Sequence, residues 1–168
     1  RITPALKAEV LEAIHSGRAD GYRLPRLSSL CSTFIHHGGW RPDYTLRLVK
    51  RGKAGFTHHF LHAHMTVDGS KADLNESLIH YSYRDLDDVL EKLNRYASGN
   101  AKDLDSKGVK GSFSKALSHG LWAFIRTYFF RAGFLDGRYG FMLAIYNAES
   151  TYYKYLKLLA LQEARDKV

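Results

Sequence analysis

His36-His37-Gly38-Gly39-Trp40-Arg41-Pro42-Asp43-Tyr44-Thr45-Leu46-Arg47-Leu48-Val49-Lys50-Arg51-Gly52 gathers a flexible turn, an aromatic platform, a carboxylate and a run of cations. Gly38-Gly39 lets the backbone turn, or pass close to a ligand, with no Cβ in the way. Trp40 offers a broad apolar face and one N–H donor, a surface suited to stacking on a sugar ring. Pro42 fixes the chain before Asp43 and removes one donor. Leu46 and Leu48 alternate with Thr45 and Arg47, the period of a strand. Asp43 then falls at a loop-to-strand junction, where catalytic groups often lie. The same residues also read as a plain turn, a core anchor and an Asp bound to turn backbone.

On the N-terminal side, Thr3-Pro4 is a helix start, with Thr at the cap and Pro at the first position. Leu6, Val10, Leu11 and Ile14 follow at helical spacing, and Gly17 is the stop. Asp20 to Arg26 reads as a short strand whose Pro25 marks its end or an edge. Leu27 to His37 is ambiguous between helix and loop. On the C-terminal side, Gly52 to Gly55 is a turn. Phe56 to Val67 reads as one or two strands closed by Asp68-Gly69. Ser70 to Glu76 reads as a polar loop, and Leu78 to Tyr81 as a short apolar run.

From Ser82 the period changes to that of helix. Ser82 with Asp85 resembles a capping box, and Asp85, Asp87 and Asp88 crowd the first turn, where the helix dipole favours them. Leu86, Val89, Leu90, Leu93, Tyr96 and Ala97 form one apolar stripe, ending near Ser106-Lys107-Gly108. Phe113 to Arg131 reads as a helix apolar around much of its circumference. Gly133 to Gly140 breaks it, and Phe141 to about Ala164 forms the last helix. The order predicts an α/β portion over residues 1–81 and a helical portion over 82–168.

The 168 residues carry a net charge of +8, 45% apolar residues and 13% aromatic ones, enough for a core and suggestive of an anionic partner. Cys31 is the single cysteine, so no internal disulfide forms. The opening Arg1-Ile2-Thr3-Pro4 has no apolar signal segment and no Met, and reads as the start of a piece. No stretch reaches the roughly 18 apolar residues of a spanning helix.

Four constellations invite chemistry. Asp43 and Arg47 would share a face of a regular strand, the carboxylate to take a proton from an attacking hydroxyl, the guanidinium to hold a phosphate. The bland alternative is a structural ion pair. His58, His62 and His64 would share a strand face, a spacing that can hold a metal, or simply form a polar face. Asp85-Leu86-Asp87 and Asp103-Leu104-Asp105 match the D-x-D of nucleotide-sugar enzymes. Positions i and i+2 of a helix diverge, so both read as helix-end acids. Lys107, Lys110, Lys115, Arg126, Arg131 and Arg138 surround Phe113, Trp122, Phe124, Tyr128, Phe129, Phe130 and Phe134. That suits a lipid interface or an ordinary core helix with snorkelling cations.

His37-Gly38-Gly39-Trp40-Arg41-Pro42-Asp43-Tyr44-Thr45-Leu46-Arg47-Leu48 resembles the H-G-G-W-x-P-D-x-x-L-R-L block of bacterial family-2 glycosyltransferases, nearest the lipopolysaccharide or lipooligosaccharide inner-core β-1,4-glucosyltransferases. Arg1 to Leu6, Leu78 to Leu86, Asn94 to Tyr96, Arg131 to Gly137 and Gly140-Phe141 are similar to further pieces of that family's C-terminal half. The resemblance implies the C-terminal part of a GT-A, Rossmann-like α/β fold with a helical extension. It implies transfer of a sugar, with inversion, from a nucleotide-sugar donor to a lipid-linked saccharide acceptor in envelope synthesis. Asp43 would be the catalytic base, Arg47 would lie near the donor diphosphate, and Gly38, Gly39 and Trp40 would border a sugar. His62 would match the histidine of a V-H-E position, whose glutamate is Ala63 here; by residue type His62 could touch a phosphate or a metal held elsewhere. A divalent cation, Mg²⁺ or Mn²⁺, would be bound mainly by a first half that these residues do not include, so the piece alone is expected to be inactive. The enzyme would be cytoplasmic, held at the inner-membrane surface, with no nucleic-acid partner. The competing readings are a basic nucleic-acid-binding protein, favoured by charge but lacking any known motif, and a non-catalytic membrane-surface module.

Overall fold

The computed structural model describes residues 1–57 and 64–167. They form two compact units, one of Arg1–Ser28 with Trp40–Tyr81, the other of Ser29–Gly39 with Ser82–Val168.

In the first unit, helix α1 (Pro4–Ser16) is capped as its sequence dictates. Thr3 Oγ1 accepts from the Leu6 N–H at 3.1 Å, and Gly17, at φ 58°, closes the helix with its N–H on Ala13 O. Leu6 and Ala13 are buried against Ala19, Tyr22, Leu24 and Leu74. The Tyr22 hydroxyl is satisfied in that core, donating to Ala13 O at 3.0 Å and accepting from the Ala19 N–H.

Strand β1 (Gly21–Leu30) pairs antiparallel with β3 (Tyr44–Val49) and parallel with β6 (Lys71–Asp73), and β7 (Leu78–Tyr83) also joins it. β4 (Ala54–Phe56) and β5 (Met65–Val67) form a separate antiparallel pair. Two features depart from the sequence expectation. Pro25 does not end the first strand but lies inside it. The Arg26 N–H points to Asp43 O on the β3 side, so the Pro25 nitrogen faces the other edge, past the last β6 pair at Arg23↔Asp73. Residues 71–73 are strand rather than loop. Arg23 and Asp73, directly opposite, form a two-pronged ion pair at 2.6 and 2.7 Å, while Ala72 packs on the core.

In the second unit, Ser29 and Leu30 of β1 pair with β2 (Thr33–Phe34) through a two-residue hairpin at Cys31-Ser32. Both turn residues have positive φ, 47° and 70°, the geometry that Asn-Gly usually serves. With Cys and Ser there, the stretch carries no local hairpin signal, which is why it reads as ambiguous. Replacing Ser32 by Gly is expected to raise stability by about 1 kcal/mol by relieving the left-handed strain. Urea unfolding checks it, and an unchanged or lower midpoint would contradict it.

Helix α2 (Leu86–Ser106) is capped by Asp85, whose carboxylate accepts from the Asp88 N–H at 2.8 Å; the predicted Ser82 cap gives way to it. α3 (Phe113–Ile125) passes into a π-helical turn at Arg126–Phe130 and a 3-10 turn at Gly133–Asp136, and α4 (Gly137–Asp166) follows. The predicted single helix to Arg131 is thus α-helical only to Ile125. α4 lies against both α2 and α3. Leu143, Ala144 and Leu158 are buried on α4, and Ala116, Gly120 and Ala123 on α3. A Cβ on Gly120 would sit 3.2 Å from Tyr152 Cβ, so the two helix backbones approach closely there.

Two carboxylates of this unit are held by neighbouring donors, and the second of them links α2 to α4. Asp88 bonds Lys92 Nζ at 2.9 Å and the Arg84 N–H, and these hold its carboxyl below the ordinary value of 3.8. Asp105 is lowered by Gln162 and Arg165, which reach it from α4. A carboxyl lowered in the folded state contributes stability above its unfolded value and loses it as pH falls through the folded one. Thermal stability followed by helix ellipticity is therefore expected to hold from neutrality to about pH 5 and to fall below about pH 4. Asp88→Asn should show a smaller acid loss, and an equal one would remove Asp88 from the account.

Candidate functional site

Asp43 stands just before β3, where Arg26 of β1 meets it. Arg26 Nε and Nη2 both reach Asp43 Oδ2, at 2.8 and 2.5 Å. The other oxygen, Oδ1, has no hydrogen bond among the described residues. The two side chains are 27% and 35% exposed, so the carboxylate is oriented by its partner yet open to an incoming hydroxyl. Two residues on, the Thr45 hydroxyl is buried with no hydrogen-bond partner among the described residues. Ser28, two residues from Arg26 along β1, shares a 3.1 Å hydrogen bond with His80 Nδ1. Arg41 Nη2 donates to Ser77 Oγ, and Trp40 is half-buried.

Arg47 is not Asp43's ion-pair partner. The pairing of β1 with β3 slips at Tyr22/Arg23, where Leu48 faces Tyr22 and Leu46 faces Arg23. Arg47 is the extra residue of a bulge, exposed to solvent. The alternation that would set residues 43 and 47 on one face presumes a regular pleat, and the bulge breaks it.

The second unit holds the loop before Trp40. Asp136, its side chain 8% exposed, accepts from the His36 N–H at 3.1 Å, the His37 N–H at 2.7 Å and His37 Nδ1 at 2.9 Å. The Gly38 N–H donates to Arg131 O. Both glycines have positive φ, and packing adds a constraint at buried Gly38, where a Cβ would lie 2.8 Å from Leu143 Cδ2; at exposed Gly39 a Cβ would meet only the flexible Arg131 side chain. Asp136 leaves the His37 Nε2 edge available as donor or acceptor.

A Rickettsia conorii protein named an uncharacterized glycosyltransferase is 33% identical to the chain over 91 residues, 54% of this chain and 31% of that protein. A Rickettsia prowazekii protein of the same description is 31% identical over 93 residues, 55% of this chain and 30% of the relative. Over half its length, this chain is similar to glycosyltransferases. The match spans about a third of the length of these curated relatives. No family model matches the chain, and no solved structure does.

Of the two D-x-D pairs that glycosyltransferase chemistry brings to mind, three carboxylates have structural partners, and Asp87 lies exposed on the first turn of α2. Asp85 caps α2, Asp103 pairs with Lys107 at 2.6 Å, and Asp105 is held by Gln162 and Arg165. Among the described residues no group of three His, Cys, Asp or Glu side chains is placed to hold a metal. His58, His59 and His62, and with them the predicted metal contact at His62, lie outside the described residues. No helix among those residues is long and apolar enough to cross a membrane.

The sequence alone missed Arg26, His80 and Asp136. Asp136 was present in a motif piece, Arg131 to Gly137, but its histidine lies 99 residues away.

Proposed function

We propose that this chain forms the acceptor-side part of an inverting glycosyltransferase, moving a sugar from a nucleotide-sugar donor to a lipid-linked saccharide. The observation that carries the reading is the similarity to rickettsial glycosyltransferases over half of the chain. The motif resemblance favours a family-2 enzyme of GT-A fold acting in lipopolysaccharide core synthesis at the cytoplasmic face of the inner membrane, with glucose as the sugar.

Asp43 is the base of this reading. Its free oxygen takes the proton of the acceptor hydroxyl as that oxygen bonds to the anomeric carbon of the donor. The bond from the anomeric carbon to the diphosphate breaks, and its electron pair leaves with the nucleoside diphosphate. Arg26 fixes the carboxylate for that transfer. Trp40, with Gly38 and Gly39 before it, borders a sugar, and exposed Arg47 serves the donor phosphates. Mg²⁺ or Mn²⁺, when bound, would neutralise the leaving diphosphate, and this reading takes its carboxylate ligands from outside the described residues.

The test is transfer from a panel of labelled nucleotide-sugars to a lipid-linked core saccharide by the full-length protein that carries this segment. One donor is expected to give labelled acceptor. No transfer from any donor, with strongly salt-dependent binding to nucleic-acid duplexes instead, would overturn the reading in favour of a nucleic-acid-binding protein.

A further inference from the structure

Arg26 and Arg41, both in the first unit, are the arginines that are partly buried rather than exposed. Arg26 is neutralised by Asp43. Arg41 has no carboxylate partner among the described residues, and its Nη2 donates to the neutral Ser77 Oγ at 3.1 Å. Every other arginine without a carboxylate partner among those residues is exposed, where water solvates its charge. A cation withdrawn from water is costly until an anion meets it. A guanidinium carries five donors in a planar fork, so the contact with Ser77 leaves Arg41 donors for a phosphate or carboxylate.

The position of Arg41 says which reactant brings that anion. Arg41 stands two residues before Asp43, and its partner Ser77 stands three residues before His80 on β7. His80 shares a hydrogen bond with Ser28 of β1, two residues along the strand from Arg26, the partner of Asp43. The cation and the carboxylate are therefore tied to the same strands of one unit. Arg26 and Asp43 cancel, and Arg41 leaves this part of the site positive. In a single displacement the acceptor hydroxyl attacks one face of the donor sugar and the leaving group departs from the opposite face. A cation on the side of the base thus faces the acceptor rather than the leaving diphosphate. Position 41 is also the unspecified x of the H-G-G-W-x-P-D block that this stretch resembles, so a preference set there belongs to this chain.

We propose that Arg41 is an anion subsite for the acceptor, gripping a phosphate or carboxylate borne on the saccharide near the hydroxyl that attacks. The proposal rests on the glycosyltransferase reading above and adds to it the class of acceptor, an acidic saccharide. The experiment uses the full-length protein that carries this segment, the donor that gives transfer, and the lipid-linked core saccharide in three forms: as isolated, stripped of phosphomonoesters by a phosphatase, and with its carboxyls reduced to alcohols. One of the two treatments is expected to raise the wild-type acceptor KM by about tenfold or more, and which one identifies the anion. Arg41→Gln should raise the acceptor KM for the untreated saccharide by a similar factor and add nothing on the treated one, with donor KM and melting temperature unchanged. Arg41→Lys should recover part of the loss. An unchanged acceptor KM in Arg41→Gln, an equal loss on every form of the saccharide, or a wild type indifferent to both treatments overturns the subsite and leaves the transferase reading standing. No transfer by the wild type from any donor overturns that reading, and the subsite with it.

Discussion

On the proposed reading, Asp43→Asn is expected to lower the turnover of sugar transfer by about a hundredfold or more in the full-length protein that carries this segment, with donor binding kept. The swap keeps size and shape. The side-chain oxygen of the introduced asparagine can still accept from Arg26, while the position of the free carboxylate oxygen is taken by an amide nitrogen that cannot receive a proton. Stability should hardly move, since a partly exposed ion pair of this kind contributes about 0–1 kcal/mol. A fall in kcat at constant donor KM and constant melting temperature is what a base predicts and a structural ion pair does not. Near-normal turnover would make Asp43 a strand-end residue and send the search for the base to His80.

Gly140→Ala is expected to destabilise the second unit by about 3–5 kcal/mol, lowering its melting temperature by roughly 12–40 °C. A Cβ at that position would overlap Gly133 O and stand 2.7 Å from Gly133 C. Both atoms are backbone, so relief requires α4 to leave the 3-10 turn. The same movement displaces Asp136 and frees the His36-His37 loop that it holds. Gly108, after α2, is the control. It has φ 71°, and nothing lies within 4 Å of where its Cβ would stand, so Gly108→Ala costs only backbone strain, about 1 kcal/mol. Equal melting of the two variants would show that the close approach at Gly140 is not what locks the turn to the helix.

What was legible in the sequence was local. Thr3-Pro4 and Gly17 bounded α1 because a cap and a left-handed stop are chemistry within one turn. The alternation after Asp43 located β3, and the acid-rich start and Gly108 bracketed α2. What escaped was made by distant partners. β6 exists because Lys71–Asp73 finds β1, and Asp73 finds Arg23 fifty residues away. Asp43 was singled out, but its partner Arg26 comes from the neighbouring strand and not from its own. The bulge at Arg47 is a property of the pair of strands, so no period within β3 announces it. The hairpin at Cys31-Ser32 hid for the opposite reason: its geometry is common and its residues are not.

The measurement that bears most directly on a single base driving transfer is the anomeric configuration of the product, read by proton NMR as it forms. One carboxylate activating the acceptor hydroxyl gives one displacement, and the account predicts a product inverted relative to the donor. A product of retained configuration would contradict it, because retention does not follow from one displacement driven by Asp43.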